Sequence, residues 1–101
     1  MTESHQLLAE YALRGTESAF RELVTRYIDL VYCTALRKVG GDSHLAQDVA
    51  QTVFLHLVKK ARRLPSNTML GGWLHQATCN VAATITRTER RRPARERQAV
   101  H

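Results

Sequence analysis

Prolines and glycines are scarce, two and five in 101 residues. That is too few to punctuate the many turns of a strand-rich domain, and it favours long helices. Cysteine is scarcer than a disulfide framework requires, so Cys33 and Cys79 read as reduced, partly buried thiols. No apolar run approaches the roughly 18–20 residues that span a bilayer. The opening MTESHQLLAEYALR carries a glutamate and a histidine where a secretory signal has its basic segment. A cytoplasmic protein with no membrane partner is therefore expected. Internal repeats, alternating strand patterns and a glycine-rich phosphate loop are also missing. What is there is ordinary for a small globular domain: 44% apolar and 24% charged residues, enough for one modest core.

Charge is unevenly placed. Up to Ala61, seven basic residues (Arg14, Arg21, Arg26, Arg37, Lys38, Lys59, Lys60) face seven acidic ones (Glu3, Glu10, Glu17, Glu22, Asp29, Asp42, Asp48). From Arg62 onward, eight arginines meet only Glu89 and Glu96, so the whole excess of +6 lies there. Such asymmetry suits a polyanionic partner for the C-terminal part, and it also suits a solvated basic tail.

The periodicity predicts an all-α fold, a compact bundle of about four helices. The first follows Thr2, with Leu7, Leu8, Tyr11 and Ala12 on its apolar face, and ends at Arg14-Gly15. The second runs from Glu17 to Val39, capped by Thr16, with Phe20, Leu23, Val24, Tyr27, Val31, Ala35 and Leu36 at three- and four-residue steps. Gly40-Gly41 ends it, and Asp42 or Ser43 caps a third helix, His44 to Arg63. Leu64-Pro65-Ser66-Asn67 breaks that helix. The fourth begins near Met69 to Gly72, carries Leu70, Leu74, Ala77, Val81 and Ile85, and is expected to stop at Pro93. Residues 1–92 would then form the domain, and 93–101 a basic tail or the start of a linker.

Two surfaces on these helices ask for a function. On the fourth helix, Trp73, Gln76, Asn80, Thr84, Arg87 and Arg91 share one stripe, flanked by Arg90 and Arg92. Guanidinium forks pair with phosphates, amides bond base edges and an aromatic face stacks on an unstacked base. Each residue also has a plainer role: Trp73 fits the core equally well, Asn80 can bond a nearby backbone, and the arginines can be solvated. In the preceding loop Ser66, Asn67 and Thr68 offer donors and acceptors, although turn and cap chemistry is the commoner use of such residues. On the third helix, beside the core stripe of Leu45, Val49, Val53, Leu57 and Ala61, an extra strip joins Asp48 and Gln51 to Phe54, Leu55 and Val58. That strip looks like a protein-docking surface, partly covered by the first helix.

The segments LLAEYALRGTESAFRELVTRYIDLVY, DSHLAQDVAQTVFLHLVKKA and GGWLHQATCNVAATITRTERRR, in this order and spacing, resemble region 2 of bacterial RNA polymerase sigma factors. The similarity is to the extracytoplasmic-function group and runs from about Gln6 to Arg92. The resemblance implies a helical promoter-recognition domain with no catalysis and no metal or cofactor. It implies docking of the AQDVAQTVFL segment, with Asp48, Gln51 and Phe54 at matching positions, on the clamp of the polymerase's largest subunit. It implies that Trp73, Leu74, Asn80 and Arg87 hold the opened minus-ten promoter element. A flipped base of the non-template strand would be captured by the loop Leu64 to Gly72. Arg62, Arg63, Arg87, Arg90, Arg91 and Arg92 are then candidates for phosphates, and an anti-sigma factor joins RNA polymerase core and promoter DNA as an implied partner.

Departures accompany the match. Cys79 stands where many members have a basic residue, Thr84 near a usual aspartate, and Gln47 at a commonly acidic position. After Pro93 only ARERQAVH remains, with no counterpart of the family's region 4, so an excised domain or a shortened protein is expected. His75 and Cys79, four apart, are too few for a tetrahedral zinc site, and no nucleophile is matched to a base. The competing function is a generic basic helical module, a small repressor or an adaptor. A helix-turn-helix reader would have a shorter junction than LPSNTMLGG.

Overall fold

The computed structural model of the chain describes the backbone of residues 3–65 and 67–100, and side chains from Ser4 to Thr88 apart from residue 66. Four helices follow one another: α1 (Glu3–Arg14), α2 (Glu17–Lys38), α3 (Ser43–Lys60) and α4 (Leu70–Val100). No strand occurs among the described residues. α2 is the central element, packing against α1, α3 and α4, while α3 and α4 also pack on each other.

The helix ends follow from local chemistry. Gly15 adopts φ 66° and its N–H bonds Tyr11 O at 2.8 Å, closing α1. Gly40 at φ 69° lets the chain reverse after α2, and the Gly41 N–H reaches back to Leu36 O at 2.9 Å. A Cβ at either glycine would meet the left-handed region, which L side chains rarely adopt. Asp42 caps α3 by accepting from the N–H groups of His44 (3.0 Å) and Leu45 (3.1 Å). Thr16 holds the corresponding place before α2, but its hydroxyl makes no capping bond.

Leu23, Val31, Val49, Val53, Leu57 and Leu74 are wholly buried, joined by Ala35 and Ala46 and, from α1, by Leu8. Removing each large aliphatic side chain from water contributes about 1.5–3 kcal/mol. The expected stripes hold, but α4 buries more than one stripe, because it lies against both α2 and α3. Thr78 and Ala82 are buried as well, and the Thr78 hydroxyl donates to Leu74 O at 2.6 Å.

Three expectations are corrected. α3 ends at Lys60, and residues 61–63 form a turn in which the Arg63 and Leu64 N–H groups both bond Lys60 O. Pro93 does not stop α4, which continues to Val100. Proline removes one backbone N–H, and its penalty of about 3 kcal/mol is local; here strong helix formers such as Arg92, Ala94 and Arg95 flank it. The expected boundary between domain and tail is thus not marked by a helix end. Finally, α1 does not cover the strip on α3. It packs on α2 and on the α3–α4 loop, with Tyr27 Oη donating to Ser4 Oγ at 2.7 Å.

Candidate nucleic-acid interface

α3 and α4 diverge enough to leave a groove of about 500 Å³ between them. From α4, Trp73, Gln76, Asn80 and Thr84 line it, with Ala77, Val81 and Ile85 toward its floor; from α3 come Thr52, His56 and Lys60. Four residues of the predicted stripe, Trp73, Gln76, Asn80 and Thr84, therefore share one wall of a concavity. Gln76 Nε2 donates to Asn80 Oδ1 at 3.1 Å, a bond across one helical turn that fixes the Asn80 amide and leaves its own N–H donors uncommitted. Thr84 and Thr88 turn their hydroxyls back to the carbonyls of Asn80 and Thr84. Trp73 is half-buried, packed against the core on one side and lining the groove on the other. Its core role is met, and its other side is open to the groove.

Thr52, His56 and Lys60 escaped the sequence reading. They are spaced by four and so share a face of α3, a signal that was available but becomes meaningful only once α4 is known to lie beside them.

Arg87 is brought elsewhere. With Lys38, Cys79, Ala83 and Thr86 it lines a separate hollow of about 380 Å³ between α2 and α4. Arg62 is exposed, yet its Nε donates to Ala12 O at 3.0 Å, satisfying a carbonyl in the last turn of α1. Arg63 and Asn67 are exposed, and Thr68 is partly buried. The Thr68 N–H bonds Pro65 O at 3.0 Å and its carbonyl meets His5 Nε2. The α3–α4 loop is thus tied to α1 at two points, Arg62–Ala12 and His5–Thr68. Ser66 and the side chains of Arg90, Arg91 and Arg92 lie outside the described residues.

The other strip forms an apolar groove of about 590 Å³. Gln51, Phe54, Leu55 and Val58 of α3 line one wall together with Gln47 and Ala50; Phe20, Val24, Ile28 and Tyr32 of α2 line the other. Leu55 is 58% exposed and Val58 38%, whereas Phe54 is buried at 8% and belongs mainly to the core. Asp48 is exposed on the same helix but does not line the groove.

With this geometry in place, the comparison with known families is specific. The profile of the family described as Sigma-70 region 2 matches residues 23–92. The chain belongs to the sigma-70 region 2 family. Within this region 2 domain the match takes in most of α2, all of α3, the intervening loops and most of α4.

The chain is 29% identical over 80 residues to "ECF RNA polymerase sigma factor SigW" of Bacillus subtilis (strain 168), which covers 79% of the chain and 41% of that protein. It is 33% identical over 66 residues to "ECF RNA polymerase sigma factor SigE" of Mycolicibacterium smegmatis, covering 65% of the chain and 25% of that protein. The chain thus spans less than half the length of these curated relatives. No solved structure matches it. Among the described residues no helix is long and apolar enough to cross a membrane, and no cluster of three or more His, Cys, Asp or Glu could hold a metal ion.

Proposed function

We propose that this region 2 domain is the promoter-recognition part of an alternative, extracytoplasmic-function sigma factor, and that its α3/α4 groove holds the opened minus-ten element. The observation that carries this is the meeting of an aromatic face, Trp73, with two linked amides, Gln76 and Asn80, and a cation, Lys60, around one concavity. An unstacked base on an aromatic gains about 1–3 kcal/mol, enough to hold it out of a duplex. Asn80 presents free donors to a base edge, and its geometry is set beforehand by Gln76. In this reading the loop at Asn67 and Thr68 takes the flipped base of the non-template strand, and Arg63 with the arginines from Arg87 onward neutralises phosphates. The work is strand capture, with no bond made or broken.

The second surface docks the polymerase clamp. Leu55 and Val58 supply exposed apolar area beside Gln51, with Asp48 as a charged rim and Phe54 supporting them from the core. Both surfaces border α3 on different sides, which lets one domain bind polymerase and DNA together.

The test is fluorescence-anisotropy binding to a pool of short single-stranded DNAs, with the matching duplexes as controls. A sequence preference for single strands that disappears in Asn67→Ala or Asn80→Ala is the expected result. Equal, weak binding to every DNA would reduce the groove to a charged surface and remove the reading.

A further inference from the structure

We propose that the hollow between the end of α2 and the middle of α4 is a second DNA contact, a site for one backbone phosphate gripped by Lys38 and Arg87. This rests on the DNA-binding reading of the α3/α4 groove and adds a residue from α2, a helix to which that reading gives no nucleic-acid role.

Lys38 and Arg87 come from different helices, 49 positions apart, and line the same hollow with Cys79, Ala83 and Thr86. No carboxylate lines it, and the chain has no Asp or Glu between Asp48 and Glu89. Both cations are exposed and make no ion pair among the described residues. The ion pairs Arg21–Glu17 and Arg26–Glu22 lie on α2's earlier turns, away from the hollow. Thr86 contributes to the wall with its carbon atoms, since its Oγ1 is buried away from solvent. Two unpaired cations around one cavity whose lining holds no carboxylate are the chemistry of an anion site.

The anion is placed by α4. On its solvent ridge Asn80, Ala83 and Arg87 follow one another, with the α3/α4 groove to one side and the hollow to the other. Ala83 is exposed and small, so a nucleic-acid backbone can cross the ridge closely there. Seven residues at about 1.5 Å each set Asn80 and Arg87 about 10 Å apart along the helix. An opened strand spaces its phosphates more widely than the roughly 3.4 Å rise of a stacked one, so this distance corresponds to at most about three nucleotide steps. A strand whose base is read at Asn80 therefore has a phosphate within a few nucleotides of Lys38 and Arg87. A cation in the last turn of a helix ordinarily complements the dipole, and Arg37 fills that place equally well. Lys38 differs in lining the hollow.

The experiment measures the salt dependence of anisotropy binding for the full chain on random pools of short single-stranded and duplex DNA. Lys38→Gln and Arg87→Gln should each reduce the slope of log affinity against log salt by about 0.7–0.9, one phosphate contact. Arg37→Gln should move it by less than half as much, and neither Lys38→Gln nor Arg37→Gln should abolish the sequence preference that Asn80→Ala removes. Equal changes for Lys38→Gln and Arg37→Gln would mean a diffuse field and overturn the site. Wild-type chain that shows sequence preference but no effect of Lys38→Gln would overturn this inference and leave the groove standing. Wild-type chain without any DNA binding would remove both.

A second readout uses the cysteines. Bound DNA should slow iodoacetamide alkylation of half-buried Cys79 several-fold while leaving exposed Cys33 unchanged. Unaltered Cys79 reactivity at saturating DNA would contradict the proposal. Equal protection by inorganic phosphate alone would assign the hollow to free anions and contradict it too.

Discussion

At the scale of single residues, most of the candidate site depends on how Asn80 is held. The 3.1 Å bond from Gln76 orients its amide before any ligand arrives. Asn80→Ala should lower discrimination between single-stranded sequences by about 1–3 kcal/mol, the usual worth of an amide read against a base edge. Gln76→Ala should lose less, about 1 kcal/mol, since it removes only the positioning bond. In the double variant the losses should not add, because without Asn80 there is nothing left for Gln76 to orient. A titration of all three variants against preferred and scrambled strands decides it, and additive losses would mean that Gln76 touches DNA itself. Asp42 provides a contrast on the stability side. Its carboxylate accepts two N–H groups at the start of α3, so Asp42→Ala should lower unfolding free energy by about 1 kcal/mol in urea titration and leave the sequence preference alone.

At the scale of elements, α1 earns its place by bracing the α3–α4 loop. Arg62 Nε bonds the Ala12 carbonyl and His5 meets the Thr68 carbonyl, so the loop offered for base capture rests on a helix about sixty residues earlier. Arg62→Ala should destabilise the fold by about 1 kcal/mol and speed amide exchange of Arg14 and Gly15. Arg63→Ala, at an exposed neighbour, should change thermal stability little and lower the salt slope of DNA binding instead. Thermal melts and exchange on the two variants separate brace from ligand, and identical behaviour would refute the division of labour. Element boundaries set by glycine and by Asp42 were legible in the sequence, since those residues act within one turn of themselves. The end of α4 was not: Pro93 removes one backbone hydrogen bond, but good helix formers on both sides carry the helix past it. Nor was Arg62, whose partner is 50 positions away, or the row Thr52, His56 and Lys60, which becomes a wall only when α4 lies opposite. Sequence periodicity shows which residues share a face; it does not show which helix that face meets. Arg87 illustrates this, sharing a stripe with Asn80 by spacing yet turning to the α2 side of the ridge.

At the scale of the whole molecule, the decisive feature is that α3 is shared. Its Thr52–His56–Lys60 row borders the groove facing α4, and its Gln51–Leu55–Val58 row borders the apolar groove facing α2. If the first takes DNA and the second takes the polymerase clamp, the two activities should be separable by single substitutions on opposite sides of one helix. Leu55 is the sharpest probe, because it is 58% exposed and so contributes little to the core. Leu55→Glu should leave thermal stability within about 0.5 kcal/mol of the parent, as surface changes usually do. It should also leave single-strand preference intact, since the DNA groove lies across the helix. Binding to polymerase core should fall by 30-fold or more, about 2 kcal/mol, if Leu55 is a central apolar anchor of the interface. Asn80→Ala should do the reverse, sparing core binding and losing strand preference. The two measurements, core binding by surface plasmon resonance and strand binding by anisotropy, make a crossed pair that a generic basic helix cannot reproduce. A module that only binds DNA would show no core affinity for Leu55→Glu to remove, and an adaptor would show no strand preference for Asn80→Ala to erase. Loss of both activities in either variant, with the fold intact, would mean that the two grooves form one surface and that α3 does not divide them.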